Sequence, residues 1–151
     1  MENTSEKQIR YAALGLGGLF LLLALAGFIP SWLSAPVDPA ATGGFGYIFG
    51  LFPTNYFHNA IGVLVGLWGM AAFTSLSGAV TFNQIFAIVY GLQAVLGLLP
   101  FSKTLFGTMP LYGGNVVLSI IAAAIAYYFG FVKLADVNRP TTTTGTTNTV
   151  L

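Results

Sequence analysis

Asn55, His58 and Asn59 stand at i, i+3 and i+4, the spacing that places three side chains on one face of a helix. They follow Pro53-Thr54, and the run Pro53-Thr54-Asn55 reads as a helix start, with Thr54 or Asn55 able to cap the free N–H groups of the first turn. Asn115 opens a later apolar run, and Gln93 sits in the second half of the run before it. Counting about 1.5 Å per helical residue brings His58 and Gln93 to depths within about 10 Å of each other. The expectation is one polar cluster of Asn55, His58, Asn59, Gln93 and Asn115. Three chemistries are open to it. Amide groups can hydrogen-bond neighbouring helices, at an average of about 0.6 kcal/mol each in membranes, and fix their register. A neutral imidazole can ligate chlorophyll or haem, which makes His58 a candidate cofactor-binding residue with Tyr56, Phe57 and Trp68 as aromatic neighbours. A proton relay or solute path is the third, and it lacks the intramembrane carboxylate that usually accompanies one.

Enzyme chemistry has few members to draw on. The chain has no cysteine, one histidine and four carboxylates, so thiol catalysis and thiolate metal sites are excluded and a metal site is not expected. Ser75, Ser77, Ser102 and Ser119 lack a companion base and acid, although Asp38 could approach His58 from a loop. No glycine-rich phosphate loop with a following Lys occurs. A net charge of +1 gives no reason to expect a nucleic-acid partner. The sequence therefore reads as a non-enzyme.

The elements that would position the cluster are four apolar stretches, Tyr11–Ile29, Tyr56–Phe73, Phe82–Leu99 and Asn115–Leu134, whose interiors carry no Asp, Glu, Lys or Arg. Spanning a bilayer takes roughly 20 helical residues, and a backbone away from water must satisfy its own polar groups, which a helix does. Overall 56% of residues are hydrophobic and 6% charged, against about 25% charged in soluble domains. The expected fold is an all-α integral membrane four-helix bundle. Residues 1–10 form a short cytoplasmic segment, 11–134 the four-span domain, and 135–151 a disordered Thr-rich tail. The first run is longer than a signal-peptide core of roughly 7–15 residues, and Pro30-Ser31-Trp32 is a poor cleavage site, so it reads as an uncleaved span.

Lys7, Arg10, Lys133 and Arg139 flank the terminal spans on one side, and Lys103 is the sole basic residue on the other. Basic residues stay cytoplasmic, which places both termini and the turn Thr74–Thr81 there, in a bacterial plasma membrane or a thylakoid membrane. The long outer loop 30–55 passes through Pro36, Pro39 and Gly43-Gly44. It then becomes apolar from Phe45 to Phe52, and that stretch reads as lying along the membrane interface or docking another subunit.

Small residues mark the helix-packing faces: Gly62, Gly66 and Gly69 in the second span, Ala122, Ala126 and Gly130 in the fourth, and Gly15, Gly17 and Gly18 in the first. They serve packing inside the bundle or contacts in a homo-oligomer. Pro53 before the second span and Pro110 before the fourth also hint at two similar helical hairpins.

Asn55-Tyr56-Phe57-His58, followed by Gly62 and Gly66, resembles the N-x-x-H signature of a bacterial family of small four-span membrane proteins, the domain of unknown function 4383 family. The spacing of the other spans extends the likeness over most of Tyr11–Leu134. The resemblance implies an integral membrane protein and raises Asn55 and His58 as a paired unit; it brings no activity or cofactor. In composition the chain also resembles small accessory subunits of photosynthetic membrane complexes. The reading that results is a small multi-pass protein in contact with membrane lipid, with a structural or accessory role, as a subunit of a larger membrane complex or a homo-oligomer. Its alternatives are a pigment- or haem-binding accessory subunit using His58, and an oligomeric transporter or channel.

Overall fold

The first three helices each begin where a polar side chain closes a free N–H group of the first turn, and two of these caps move the expected boundaries. The computed structural model describes residues 3–35 and 46–138. In α1 (Thr4–Ala26) the Asn3 side chain accepts from the Ser5 N–H at 3.3 Å, while Glu6 reaches back to the Asn3 N–H. This capping box starts the helix at Thr4 rather than near Tyr11, so Lys7 and Arg10 belong to it. In α3 (Leu76–Leu98) the Ser75 hydroxyl accepts from the Gly78 N–H at 3.1 Å. The expected turn Thr74–Thr81 therefore shrinks to the residues just before Leu76, and the third helix starts well ahead of Phe82. The second helix, α2, covers Tyr56–Ala72, close to the expected span.

The last helix is continuous from Gly114 to Val137. It comprises α4 (Gly114–Tyr127), a π-helical turn at Tyr128–Val132 and α5 (Lys133–Val137). The wider turn displaces carbonyls from their usual partners, and the Gln84 side chain donates to the Gly130 carbonyl at 2.9 Å. Residues 135–137, expected in the disordered tail, are instead the end of this helix, where Lys133 and Asp136 form an i,i+3 ion pair at 3.6 Å. Residues 139–151 of that tail, and Pro36, Asp38, Pro39, Gly43, Gly44 and Phe45 of the long loop, lie outside the described residues.

Among the described residues three helices, α1, α3 and Gly114–Val137, are long and apolar enough to cross a membrane. The fourth, α2, is apolar but has 17 residues, a length of about 25 Å. α1 packs chiefly on α2 and α3 on α4, with α1 also touching α3, so the bundle is two antiparallel hairpins laid together. Aromatic rings fill its centre. Phe86 stacks on Tyr90 at 4.0 Å between centroids, and Phe20 meets both edge-on at 5.1 and 4.7 Å. The outward faces are also apolar, with Leu22, Leu64, Ile88 and Leu98 exposed.

One element departs from the all-α expectation. The loop between α1 and α2 forms a small antiparallel sheet, β1 (Leu33–Ser34), β2 (Gly46–Ile48) and β3 (Phe52–Thr54), in that order. Leu33 pairs with Ile48, and Ile48 with Phe52. The hairpin turns at Phe49 and Gly50, both in left-handed backbone with φ of 52° and 72°, the conformation that suits a tight hairpin's twist. Ile48 faces inward and is buried, while Phe49 and Leu51 at the tip are 57% and 63% exposed. The apolar stretch read as interfacial thus has one side in the protein and an apolar tip outside it.

Candidate functional site

The sheet lies over the end of the bundle where α1 and α3 finish and α2 and α4 begin, and the polar residues gather beneath it. Asn55 is the N-cap of α2: its Oδ1 accepts from the backbone N–H of His58 at 2.8 Å. The N-x-x-H spacing is therefore the spacing of a cap and the third residue of its helix. The other half of the same amide, Nδ2, donates to the Thr108 carbonyl at 2.8 Å and holds the loop between α3 and α4.

Asn115 does the same from the opposite helix. Its Nδ2 donates to the Pro53 carbonyl at 2.7 Å and to the Pro110 carbonyl at 2.9 Å. The two prolines that precede α2 and α4 are thus held by one amide. Asn59 completes the group: the Thr54 hydroxyl donates to its Oδ1, and its amide lies against the backbone of Gly27, where an added Cβ would collide with it. Thr54, Asn55, Asn59 and Asn115 are all buried. The Nδ2 bonds of Asn55 and Asn115 satisfy carbonyls of the loops before the helices, and the Asn55 Oδ1 satisfies an N–H that the start of α2 leaves free.

His58 is half-buried in the first turn of α2. Its Nδ1 is buried with no hydrogen bond among the described residues, and the Pro53 carbonyl lies beside the ring. The ring borders a cavity of about 40 Å³, to which every layer contributes: Phe20, Ile48, Asn59, Tyr90 and Asn115 share its wall with His58. A water needs roughly 10–15 Å³ of such space and a few polar partners, so the cavity has room for a small water cluster.

Gln93 does not join this network. Its Nε2 donates to the Ser119 hydroxyl at 3.1 Å, linking α3 to α4. The structure therefore brings together Asn55, His58, Asn59 and Asn115 and leaves Gln93 in a separate pair. The small residues Gly62, Gly66 and Gly69 face α1. A Cβ on Gly66 would lie 2.6–2.7 Å from Leu21, and one on Gly69 would lie 2.7 Å from the Cα of Gly17. Ala122 and Ala126 are buried in the core, and Gly130 abuts the backbone of Asn83 and Gln84. Gly15 and Gly18 meet nothing within 4 Å.

Sequence reasoning missed Asn83. It is 0% exposed, and its Nδ2 donates to the Ile9 carbonyl at 3.1 Å and to the Ala79 carbonyl at 2.9 Å, while its Oδ1 has no partner among the described residues. The signal was an amide inside an apolar run, hidden because the run was started at Phe82 and Asn83 then fell at its edge.

A family model matches residues 10–132. The chain belongs to that family, described as a domain of unknown function (DUF4383). All the residues of the polar group and of the small-residue faces fall inside the range matched by DUF4383. Comparison with curated proteins and with solved structures gave no match.

Proposed function

We propose that this DUF4383 protein is a four-span integral membrane protein, both termini cytoplasmic, with a structural or accessory and non-enzymatic role. The observation that carries this reading is how the amides are used. Both halves of the Asn55 amide and both N–H groups available on Asn115 go to the protein's own backbone. They clasp two end loops and the sheet to the helices instead of presenting polar groups along a path. The apolar outward faces support the membrane setting. α2 fits as the fourth span because its 17 residues are at the short end of the usual range of about 17–25, with the exposed hairpin tip Phe49–Leu51 at headgroup depth.

The chain has no cysteine, so single introduced cysteines report sidedness without background. Ser5→Cys, Thr74→Cys and Asn138→Cys should react from the cytoplasmic side, and Leu51→Cys and Phe106→Cys from the other. Any split within either group refutes the topology. Cross-linking in native membranes then tests the accessory role: a recurring partner band supports it, and a chain found alone at native abundance opposes it.

A cofactor on His58 has one observation in its favour, the buried Nδ1 without a hydrogen bond. Against it, the adjoining cavity of about 40 Å³ falls far below the roughly 300–1,000 Å³ of ordinary ligand pockets, so a tetrapyrrole ring does not fit within the bundle. Visible absorption bands in gently purified protein, lost in His58→Ala, would restore that reading; a colourless preparation removes it.

A further inference from the structure

The end of the bundle that carries the clasp also carries two loop tips, and both hold apolar side chains outside the protein. Among the described residues three non-glycine residues have left-handed backbone: Phe49, Leu105 and Phe106, with φ of 52°, 43° and 56°. Gly, Asn or Asp suits such a position at least cost, yet the chain sets bulky apolar residues there. Both tips are firmly held. In the hairpin the Phe49 N–H donates to the Trp32 carbonyl at 3.1 Å, and the two rings lie 5.6 Å apart. In the loop between α3 and α4 the Leu111 N–H donates to the Lys103 carbonyl at 2.7 Å, and the buried Ser102 donates its hydroxyl to the Leu96 carbonyl at 2.9 Å. The Asn55 amide ties Thr108 of the same loop to the start of α2, so the two tips share one end of the molecule. Phe101 and Phe106 are 71% and 76% exposed on this fixed frame, and Trp32 is exposed on the sheet.

We propose that the two tips form one interaction surface whose partner is the lipid of the outer leaflet, at the boundary between headgroups and acyl chains. The proposal deepens the membrane reading given above and rests on it. Three observations select lipid over a protein partner. Lys103 is the one charged side chain among the described residues of the two loops, and its ammonium lies 5.9 Å from the centre of the Tyr112 ring. A lone cation with its stem on apolar surface suits a place just below the phosphates. Exposed apolar residues also come from every segment at this end, with Phe28 after α1, Phe57 at the start of α2 and Leu98 at the end of α3. The surface thus runs into the outward helix faces instead of forming a bounded patch. Finally, the 17 residues of α2 span about 25 Å, against a hydrocarbon core of about 30 Å. The apolar hairpin tip just before α2 supplies the missing depth, where Phe, Leu and Trp side chains enter the interface favourably.

Tryptophan quenching of the full chain in phosphatidylcholine vesicles tests this. Phe106→Trp and Leu51→Trp, each combined with Trp32→Phe and Trp68→Phe, put a single tryptophan on one tip, and both tip residues are exposed enough to take the larger ring. Trp32→Phe alone leaves the partly exposed Trp68 of α2 as the control. Lipid brominated near the headgroup should quench both tip probes more strongly than lipid brominated near the chain end. Aqueous iodide should quench them several-fold less than it quenches free tryptophanamide. Quenching of either tip by iodide at the full rate of tryptophanamide overturns the surface, and so does stronger quenching by the chain-end bromines. A tip shielded from iodide and from both lipids overturns the lipid assignment in favour of a second copy of the chain, the only protein present. Absence of bromine quenching at Trp68 defeats the membrane reading itself, whereas a quenched Trp68 with unquenched tips defeats this proposal alone.

Discussion

The Nδ2 of Asn115 donates to the carbonyl of Pro53 at 2.7 Å, across 62 positions of the chain. A second bond from the same nitrogen reaches Pro110 at 2.9 Å. One side chain at the start of α4 thereby anchors the entrance to α2 and the entrance to its own helix, under a sheet built from the preceding loop.

Removing that amide should loosen both entrances together. Asn115→Ala leaves two buried carbonyls without their donor, at roughly 1–3 kcal/mol for each group left unsatisfied. Asn115→Asp should be worse, because it points an acceptor at two acceptors. Thermal unfolding in detergent gives the order, and hydrogen exchange should show faster exchange at residues 46–54 in both variants.

Asn55 has two separable jobs. Asn55→Ser keeps a hydroxyl that can cap His58 and gives up the bond to Thr108. Asn55→Ala gives up both, and loss of a cap alone is worth about 1 kcal/mol. The expected stability order is wild type, then Ser, then Ala. If Ser and Ala fall equally, the cap contributes nothing here.

Glycines that look alike in the sequence should respond differently. Gly66→Ala drives a methyl group to within 2.7 Å of the Leu21 backbone, which cannot yield as a flexible side-chain tip can. It should destabilise by about 1–3 kcal/mol as an overpacked contact. Gly15→Ala meets nothing within 4 Å and should be neutral or stabilising by up to about 1 kcal/mol through helix propensity. Unfolding temperatures of the two variants, measured side by side, decide it.

Gly27→Ala should disturb the clasp from outside it. A methyl group at that position collides with the Asn59 amide, which must then abandon its bond with Thr54. Asn59→Ala, which removes the obstacle, should make Gly27→Ala nearly harmless. A double-mutant cycle on unfolding free energy measures this coupling, and a coupling energy near zero would show that the contact yields without loss.

Much of this architecture was legible without coordinates. The apolar runs are long and free of charge, so their helical state follows from composition and backbone satisfaction. A cap at Thr54 or Asn55 was equally readable, because a cap is a bond between a residue and its own next turn, and the structure gives that place to Asn55. The starts of α1 and α3 were placed too late because hydropathy marks where apolar character begins, whereas Asn3 and Ser75 cap helices that begin in polar sequence. The sheet was missed because Leu33 and Ile48 are apart in sequence and no local pattern says which segments pair. Gln93 was grouped with His58 by depth, and depth along an axis says nothing of which way a side chain points around it. Its partner proved to be Ser119.

The amino-acid order by itself determined the apolar rods, their approximate spans and that a cap at Thr54 or Asn55 opens α2. Each of these depends on neighbours within a turn or on the affinity of a segment for an apolar surrounding. Only the tertiary structure decided which carbonyls receive the Asn55 and Asn115 amides, which glycines touch a facing backbone, and that the loop tips at Phe49 and Phe106 share one end of the bundle. Those outcomes depend on how helices distant in sequence cross and on where the loop ends are brought to rest, and no local period in the sequence carries that geometry.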